Sequence, residues 1–153
     1  MKIHIASVMA MVAMSLSAPA YAGTLPANTL VVVTPTAEIT SKVVREGDAV
    51  AFQVVNDVVE NGAVIVPRGT PVKGTVTWRT GKGIVGKSAK FEVTFNSVSL
   101  KGRDWPLKGT IRQEGRGNTA GALLGSMIIT GRSAIMTPGQ LVNCFTAQDI
   151  VVE

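Results

Sequence analysis

The chain has 153 residues, 46% of them hydrophobic and 16% charged, with 15 Lys and Arg against 10 Asp and Glu. That length holds one small domain, and so little charge among so many apolar residues excludes a disordered tail. A single Cys and a single His exclude a disulfide-stapled fold and leave little for metal or nucleophilic chemistry.

Met1-Lys2-Ile3-His4 is a short basic start, and residues 5–17 form an apolar run. Ala18-Pro19-Ala20-Tyr21-Ala22-Gly23 then places small residues at −3 and −1 of a cut after Ala22. Residues 1–22 therefore read as a secretory signal peptide. A transmembrane helix needs about 20 apolar residues, and this run stops short at Pro19. The expected mature chain, residues 23–153, keeps 14 basic against 10 acidic residues, a net charge of +4, and contains no histidine. Export implies a bacterial envelope protein, periplasmic or secreted, with association to the outer membrane as a further option. Cys144 is expected to be buried as a small hydrophobe.

Past the cut the chain is rich in Val, Thr and Ile and punctuated by Gly or Pro. This predicts one all-β domain over 23–153, a sandwich or a small closed or partly open barrel. Residues 29–33 and 49–55 predict the first strands. Residues 63–66 and 72–78 flank Pro67-Arg68-Gly69-Thr70, read as a turn with Pro at its second position. Glu46-Gly47-Asp48, and Asp57 with Glu60, are expected in turns. Residues 90–100 alternate, with Phe91, Val93 and Phe95 on one face and Glu92, Thr94 and Asn96 on the other. The phase then slips to Val98 and Leu100, which calls for a bulge near Asn96-Ser97. Lys101-Gly102-Arg103-Asp104 reads as a hairpin turn into a strand over 105–111. Segments 133–136 and 140–145 flank Thr137-Pro138-Gly139, whose Pro-Gly pair suits a type II turn. Residues 150–152 close the chain. Gly47 followed by Asp57 and Gly139 followed by Asp149 form a weak internal echo. Chance recurrence of hairpins produces such an echo, as do two related halves whose first and last strands pair to remove exposed edges.

Three segments carry chemical signals. Gly81-Lys82-Gly83-Ile84-Val85-Gly86-Lys87-Ser88 matches both G-x-x-x-x-G-K-S and G-x-G-x-x-G, which cradle phosphates at a helix N-terminus. Here a strand pattern follows, so no nucleotide is expected. The same loop is basic, and Arg79, Lys82, Lys87 and Lys90 are candidate contacts for a partner or an anionic envelope polymer or lipid. Nucleic acid is disfavoured, since no recognition helix or RNA-type aromatic motif accompanies the charge. Residues 115–131 form a Gly-rich, charge-poor insertion, with helix as one option. Gly121, Leu123, Leu124, Gly125, Met127 and Ile128 are its candidate membrane or oligomer contacts. A helix of that apolar core reaches about 15 Å, half of a bilayer interior. Without His, neither a Ser-His-Asp nor a Cys-His pair can form, and the acidic residues make no calcium-loop spacing. No enzyme activity, cofactor or metal is expected.

The stretch Val64-Ile65-Val66-Pro67-Arg68-Gly69-Thr70-Pro71-Val72-Lys73-Gly74 resembles an apolar strand, Pro-x-Gly-Thr turn and second strand of the type IV secretion core-scaffold family of the conjugal-transfer TrbI type. The hairpin from Phe91 through Gly102, and Pro138-Gly139-Gln140-Leu141-Val142 with Phe145 and Asp149, are similar to later parts of the same domain. The resemblance covers about 29–152 and rests mainly on β-turn signatures. It implies a modified β-barrel near the outer membrane whose copies form a ring, with a helical insertion where residues 115–131 stand. With a cleavable signal read directly ahead of the barrel, the family's cytoplasmic segment, inner-membrane helix and Pro-rich linker are not expected here. A stand-alone exported barrel, non-enzymatic and acting through protein–protein contacts or as a homo-oligomer, is the expectation. Binding of an anionic polymer or lipid through 79–90 is the alternative.

Overall fold

The computed structural model describes residues 23–82, 87–115 and 132–153. They form thirteen strands: β1 (Gly23–Leu25), β2 (Leu30–Pro35), β3 (Ile39–Thr40), β4 (Ala49–Val54), β5 (Val58–Glu60), β6 (Ala63–Val66), β7 (Pro71–Thr80), β8 (Lys90–Leu100), β9 (Arg103–Lys108), β10 (Thr110–Glu114), β11 (Ile135–Met136), β12 (Val142–Thr146) and β13 (Ile150–Val152). The expected all-β class holds. The insertion expected at 115–131 lies outside the described residues except for Gly115.

Strand β8 organises the rest. Phe91, Val93 and Phe95 are buried, Asn96 is exposed, and burial resumes at Val98 and Leu100. The slip is a bulge at the expected place. Lys73 pairs with Ser97 and Gly74 with Phe95, so Asn96 has no partner across the ladder. At its C-terminal end β8 turns through Lys101-Gly102, both at positive φ (48° and 74°), directly into β9. The turn is thus two residues rather than four, with Arg103 and Asp104 already in the strand, as suits a hairpin that must match strand twist. The strand expected over 105–111 is interrupted at Gly109 (φ 136°). Beyond it β10 continues along the N-terminal half of β8.

Antiparallel pairings run β8–β7–β4–β2–β12–β9, and β9 pairs back onto β8. The hydrogen bonds of the large sheet therefore ring round. Such closure leaves few free edges. Side chains alternating inward fill the ring, among them Val31, Val33, Phe52, Val76, Phe95 and Cys144, all almost fully buried. Phe52 and Phe95 meet edge to face, with ring centroids 5.0 Å apart, a favoured aromatic geometry. Gly74, buried opposite Phe95, is what lets Phe52 and Val93 approach the β7 backbone.

Three two-stranded ladders, β1–β13, β3–β11 and β5–β6, flank the ring. The first and last strands do pair, Gly23 with Val152 and Leu25 with Ile150, but apart from the ring. The β5–β6 hairpin turns on Asn61-Gly62, both at positive φ (50° and 80°). It puts Glu60 in a strand, half-buried, rather than in a turn. In the Pro67–Thr70 region Thr70 N–H donates to the Pro67 carbonyl at 3.2 Å. Pro67 is therefore the first turn residue, not the second, and the chain passes from β6 to β7 without pairing them. The Thr137-Pro138-Gly139 turn has the expected type II form, with Gly139 at φ 93° and Gln140 N–H donating to Thr137 O at 3.1 Å. Of segments 133–136 and 140–145, only Ile135–Met136 and Val142–Thr146 are strand, and they pair with β3 and with β2 and β9 rather than with each other.

Candidate contact site at the Gly-rich end

The described ends of the two Gly-rich segments singled out in the sequence meet at one point. Between β7 and β8 the chain passes through Gly81-Lys82 and returns at Lys87-Ser88-Ala89. Between β10 and β11 it leaves at Gly115 and returns at Arg132. Ala89 joins the two excursions: its carbonyl accepts Gly115 N–H at 3.0 Å, and its own N–H donates to Arg132 O at 3.1 Å. Ala89 itself is buried. The neck is so tight that a Cβ on Gly115 would stand 2.3 Å from Arg132 O, so only Gly fits. The residues between the ends, 83–86 and 116–131, lie outside the description. With them go Gly121, Leu123, Leu124, Gly125, Met127 and Ile128.

The four candidate basic residues do not act as one set. Arg79 is half-buried at the end of β7; its Nη2 donates to Ser41 O at 2.8 Å, and its backbone N–H donates to Glu46 Oε1 at 3.2 Å. Ser41 in turn accepts Ala134 N–H on its hydroxyl at 3.1 Å and donates its own N–H to Ala134 O at 2.9 Å. Arg79 thereby fastens the strand that follows the insertion to the ring. Lys90 Nζ pairs with Glu114 Oε1 at 2.8 Å across β8–β10, an exposed pair of the kind worth about 0–1 kcal/mol. Lys82 and Lys87 stand exposed on the two sides of residues 83–86.

Sequence reading missed two further basic groups. Arg112 on β10 lies over the Trp78 ring, 4.7 Å from its centroid, and bonds Glu92 Oε2 at 3.0 Å. Arg132 is exposed at the neck. The strand expected over 105–111 stops one residue short of Arg112, which lies in β10, and the strand's partner had no signal in the sequence. Arg79 Nε, Ser88 Oγ and Ser133 Oγ are buried in this region with no partner among the described residues.

The phosphate-loop pattern at 81–88 leads into strand β8 and not into a helix, so the helix N-terminus that such a loop uses is lacking. Three aspartates hold loops by accepting backbone N–H groups. Asp48 Oδ2 accepts Arg45 N–H at 2.8 Å, Asp57 Oδ1 accepts Arg68 N–H at 2.7 Å, and Asp149 Oδ1 accepts Ala27 N–H at 2.8 Å. Asp104, on the outer face of β9, is held below the usual carboxylate range by Lys73, 2.6 Å away, and by the Ser99 hydroxyl. Among the described residues no three His, Cys, Asp or Glu side chains cluster as metal ligands, and no helix is long and apolar enough to cross a membrane.

No protein-family model matches the chain, and no curated protein matches it at a significant level.

Proposed function

We propose that the chain is an exported envelope module that acts without enzymatic chemistry, through protein–protein contacts made at the end of the ring where both Gly-rich segments emerge. The observation that carries this reading is the Gly115–Ala89–Arg132 neck. It brings the ends of two glycine-rich segments, one basic and one apolar by sequence, together on the β-scaffold. Function tends to be carried on loops held by such scaffolds. The resemblance to type IV secretion scaffold barrels supports the same reading, because their insertion occupies the place of residues 115–131. A further support for export is that Gly23, first after the expected cut, already lies in β1. Binding of an anionic polymer or lipid ranks second, because Arg79 and Lys90 already have partners within the protein.

A photo-crosslinking residue placed at Lys82 or Lys87 tests the proposal in intact cells. Adducts at these positions, absent from a control at Val59 on the β5–β6 ladder, are expected. The exported protein should also have a mass that begins at Gly23. A protein that gives no adduct at either position and runs only as a free monomer by light scattering sinks it. Loss of sedimentation with envelope material on reversing the charge at Lys82 and Lys87, without any protein adduct, would instead favour the anion reading.

A further inference from the structure

Beside the Gly115–Ala89–Arg132 neck stands a small apolar prominence. The β3–β11 ladder pairs Ile135 with Thr40 and Met136 with Ile39. Ile39 and Met136 are buried, so alternation turns Ile135 outward, where it is 42% exposed. Past β3 the chain turns back: Thr40 O accepts Val43 N–H at 3.0 Å and Val44 N–H at 3.1 Å. Val44 is buried, while Val43 is 74% exposed, the most exposed large hydrophobic side chain among the described residues. Two hydrogen bonds and the burial of Val44 thus hold Val43 outward. Ser41, in the same turn, is fastened to Ala134 in both directions, at 2.9 and 3.1 Å. Val43 and Ile135 therefore flank Thr40 on a surface that is well tied to the ring. Uncovered apolar side chains rimmed by polar groups mark interaction surfaces.

Positive charge gathers around the same place. Lys42, Arg45, Lys82, Lys87 and Arg132 are exposed and make no ion pair among the described residues. With Arg79 they outnumber the nearby carboxylates, Glu38, Glu46 and Asp48, by two to one. Glu46 and Asp48 are already engaged, accepting the backbone N–H groups of Arg79 and Arg45. Lys90 and Arg112 are balanced by Glu114 and Glu92. Over the rest of the domain, Arg68, Lys101, Arg103 and Lys108 are matched in number by Asp57, Glu60, Asp149 and Glu153, and Lys73 pairs with Asp104. The excess of positive charge among the described residues thus lies at one end, around the Val43–Ile135 prominence.

We infer that this end docks a protein whose contacting face is acidic around an apolar anchor, the anchor seated on Val43 and Ile135 and the acidic groups against Lys42, Arg45 and Arg132. The inference rests on the contact reading proposed above and names the chemistry of the partner. An apolar centre supplies the buried core of an interface, and complementary charge around it steers the encounter and selects the partner. A second copy presenting the same end is disfavoured, because like charges would meet. An anionic polymer would use the cations and leave the two aliphatic side chains uncovered.

A photo-crosslinking residue at Lys87 reads docking in intact cells, and one at Val43 asks whether the partner reaches the prominence. Both should yield the same adduct, whose partner has an acidic isoelectric point, while one at Val59 yields none. With the crosslinker at position 87, V43S/I135S and K42E/R132E should each lower the yield about tenfold, with melting curves within a few degrees of the parent. With the partner purified, raising sodium chloride from about 50 to about 500 mM should weaken its binding to the parent and leave its residual binding to K42E/R132E nearly unchanged. An adduct at 87 with none at 43 overturns this inference alone; no adduct at 43, 82 or 87 overturns the contact reading with it. A yield that survives V43S/I135S or K42E/R132E, or a partner with a basic isoelectric point, overturns the inference as well. An adduct of twice the chain's mass would assign the end to a second copy and overturn it. So would binding to phosphatidylglycerol vesicles that is equal in the parent and V43S/I135S, without any protein adduct, which assigns the cations to anionic lipid.

Discussion

Replacing Gly74 with Ala would set a methyl group 2.9 Å from Val93 Cγ1, 3.2 Å from Phe52 Cε2 and 3.3 Å from the Thr94 carbonyl oxygen. Carbon atoms in packed interiors prefer about 3.5–4.0 Å, so something must move. Val93 is fully buried, Phe52 is held edge-on by Phe95, and Thr94 O is backbone. None is a flexible tip. Overpacking of this kind costs about 1–3 kcal/mol, while restricting the unfolded chain returns about 0.4–1 kcal/mol. The net loss should be about 1–2 kcal/mol, or a fall in Tm of about 3–10 °C for a domain of this size. Urea unfolding followed by far-ultraviolet circular dichroism measures it. A double-mutant cycle isolates the cause. Val93→Ala removes the nearest atom at the expense of a cavity, so G74A/V93A should be more stable than the sum of the single losses by about 0.5 kcal/mol or more. G74A as stable as the parent, or strict additivity in the cycle, would refute the account of β7–β8 packing.

Cys144 is fully buried, donates to Val31 O at 3.3 Å, and has its thiol pKa pushed up to about 12 by burial. It should resist thiol reagents in the native state and react only as fast as the domain unfolds. Its folded pKa lies above its unfolded one, so its contribution to stability is full below pH 9, the ordinary thiol value, and is lost between there and about pH 12. Comparing the parent with Cys144→Ala over that window isolates the effect, at up to about 1.4 kcal/mol per pH unit; identical pH profiles would exclude it. Asp104 has the opposite sign: its depressed pKa makes its contribution present above the ordinary carboxylate range and lost as pH falls. An NMR titration should find its midpoint below the usual Asp value and returning toward it in Lys73→Gln. An unshifted midpoint in the parent would contradict the Lys73 contact.

Much of the fold is legible residue by residue. The β8 strand shows in the sequence because side chains on a strand alternate, and the Asn96 bulge shows because the alternation breaks. The Pro138-Gly139 turn is legible because Pro presets one dihedral and Gly accepts φ 93°. The Asn61-Gly62 hairpin carried an equally strong signal that the sequence reading did not use, since its flanking strands are only three and four residues long. Strands β1, β3 and β11 are shorter still or as short, two or three residues, below the length at which alternation can register. The candidate site was legible in its parts alone. The sequence offers four basic residues in one loop; the structure divides them, tying Arg79 to Ser41 and Lys90 to Glu114 and leaving Lys82 and Lys87 outward.

The sequence by itself determined the β class, the principal strands and most of the turns, because alternation, proline and glycine act within a few residues of their own position. Only the tertiary structure decided that Phe145 meets Lys108 to close the ring, that Ala89 holds Gly115 and Arg132 together, and that Arg103 lies over the Trp105 ring. Each of these is a pairing between remote segments. Its register is set by how the whole set of buried faces fits together, and that information is not held in any one stretch of the chain.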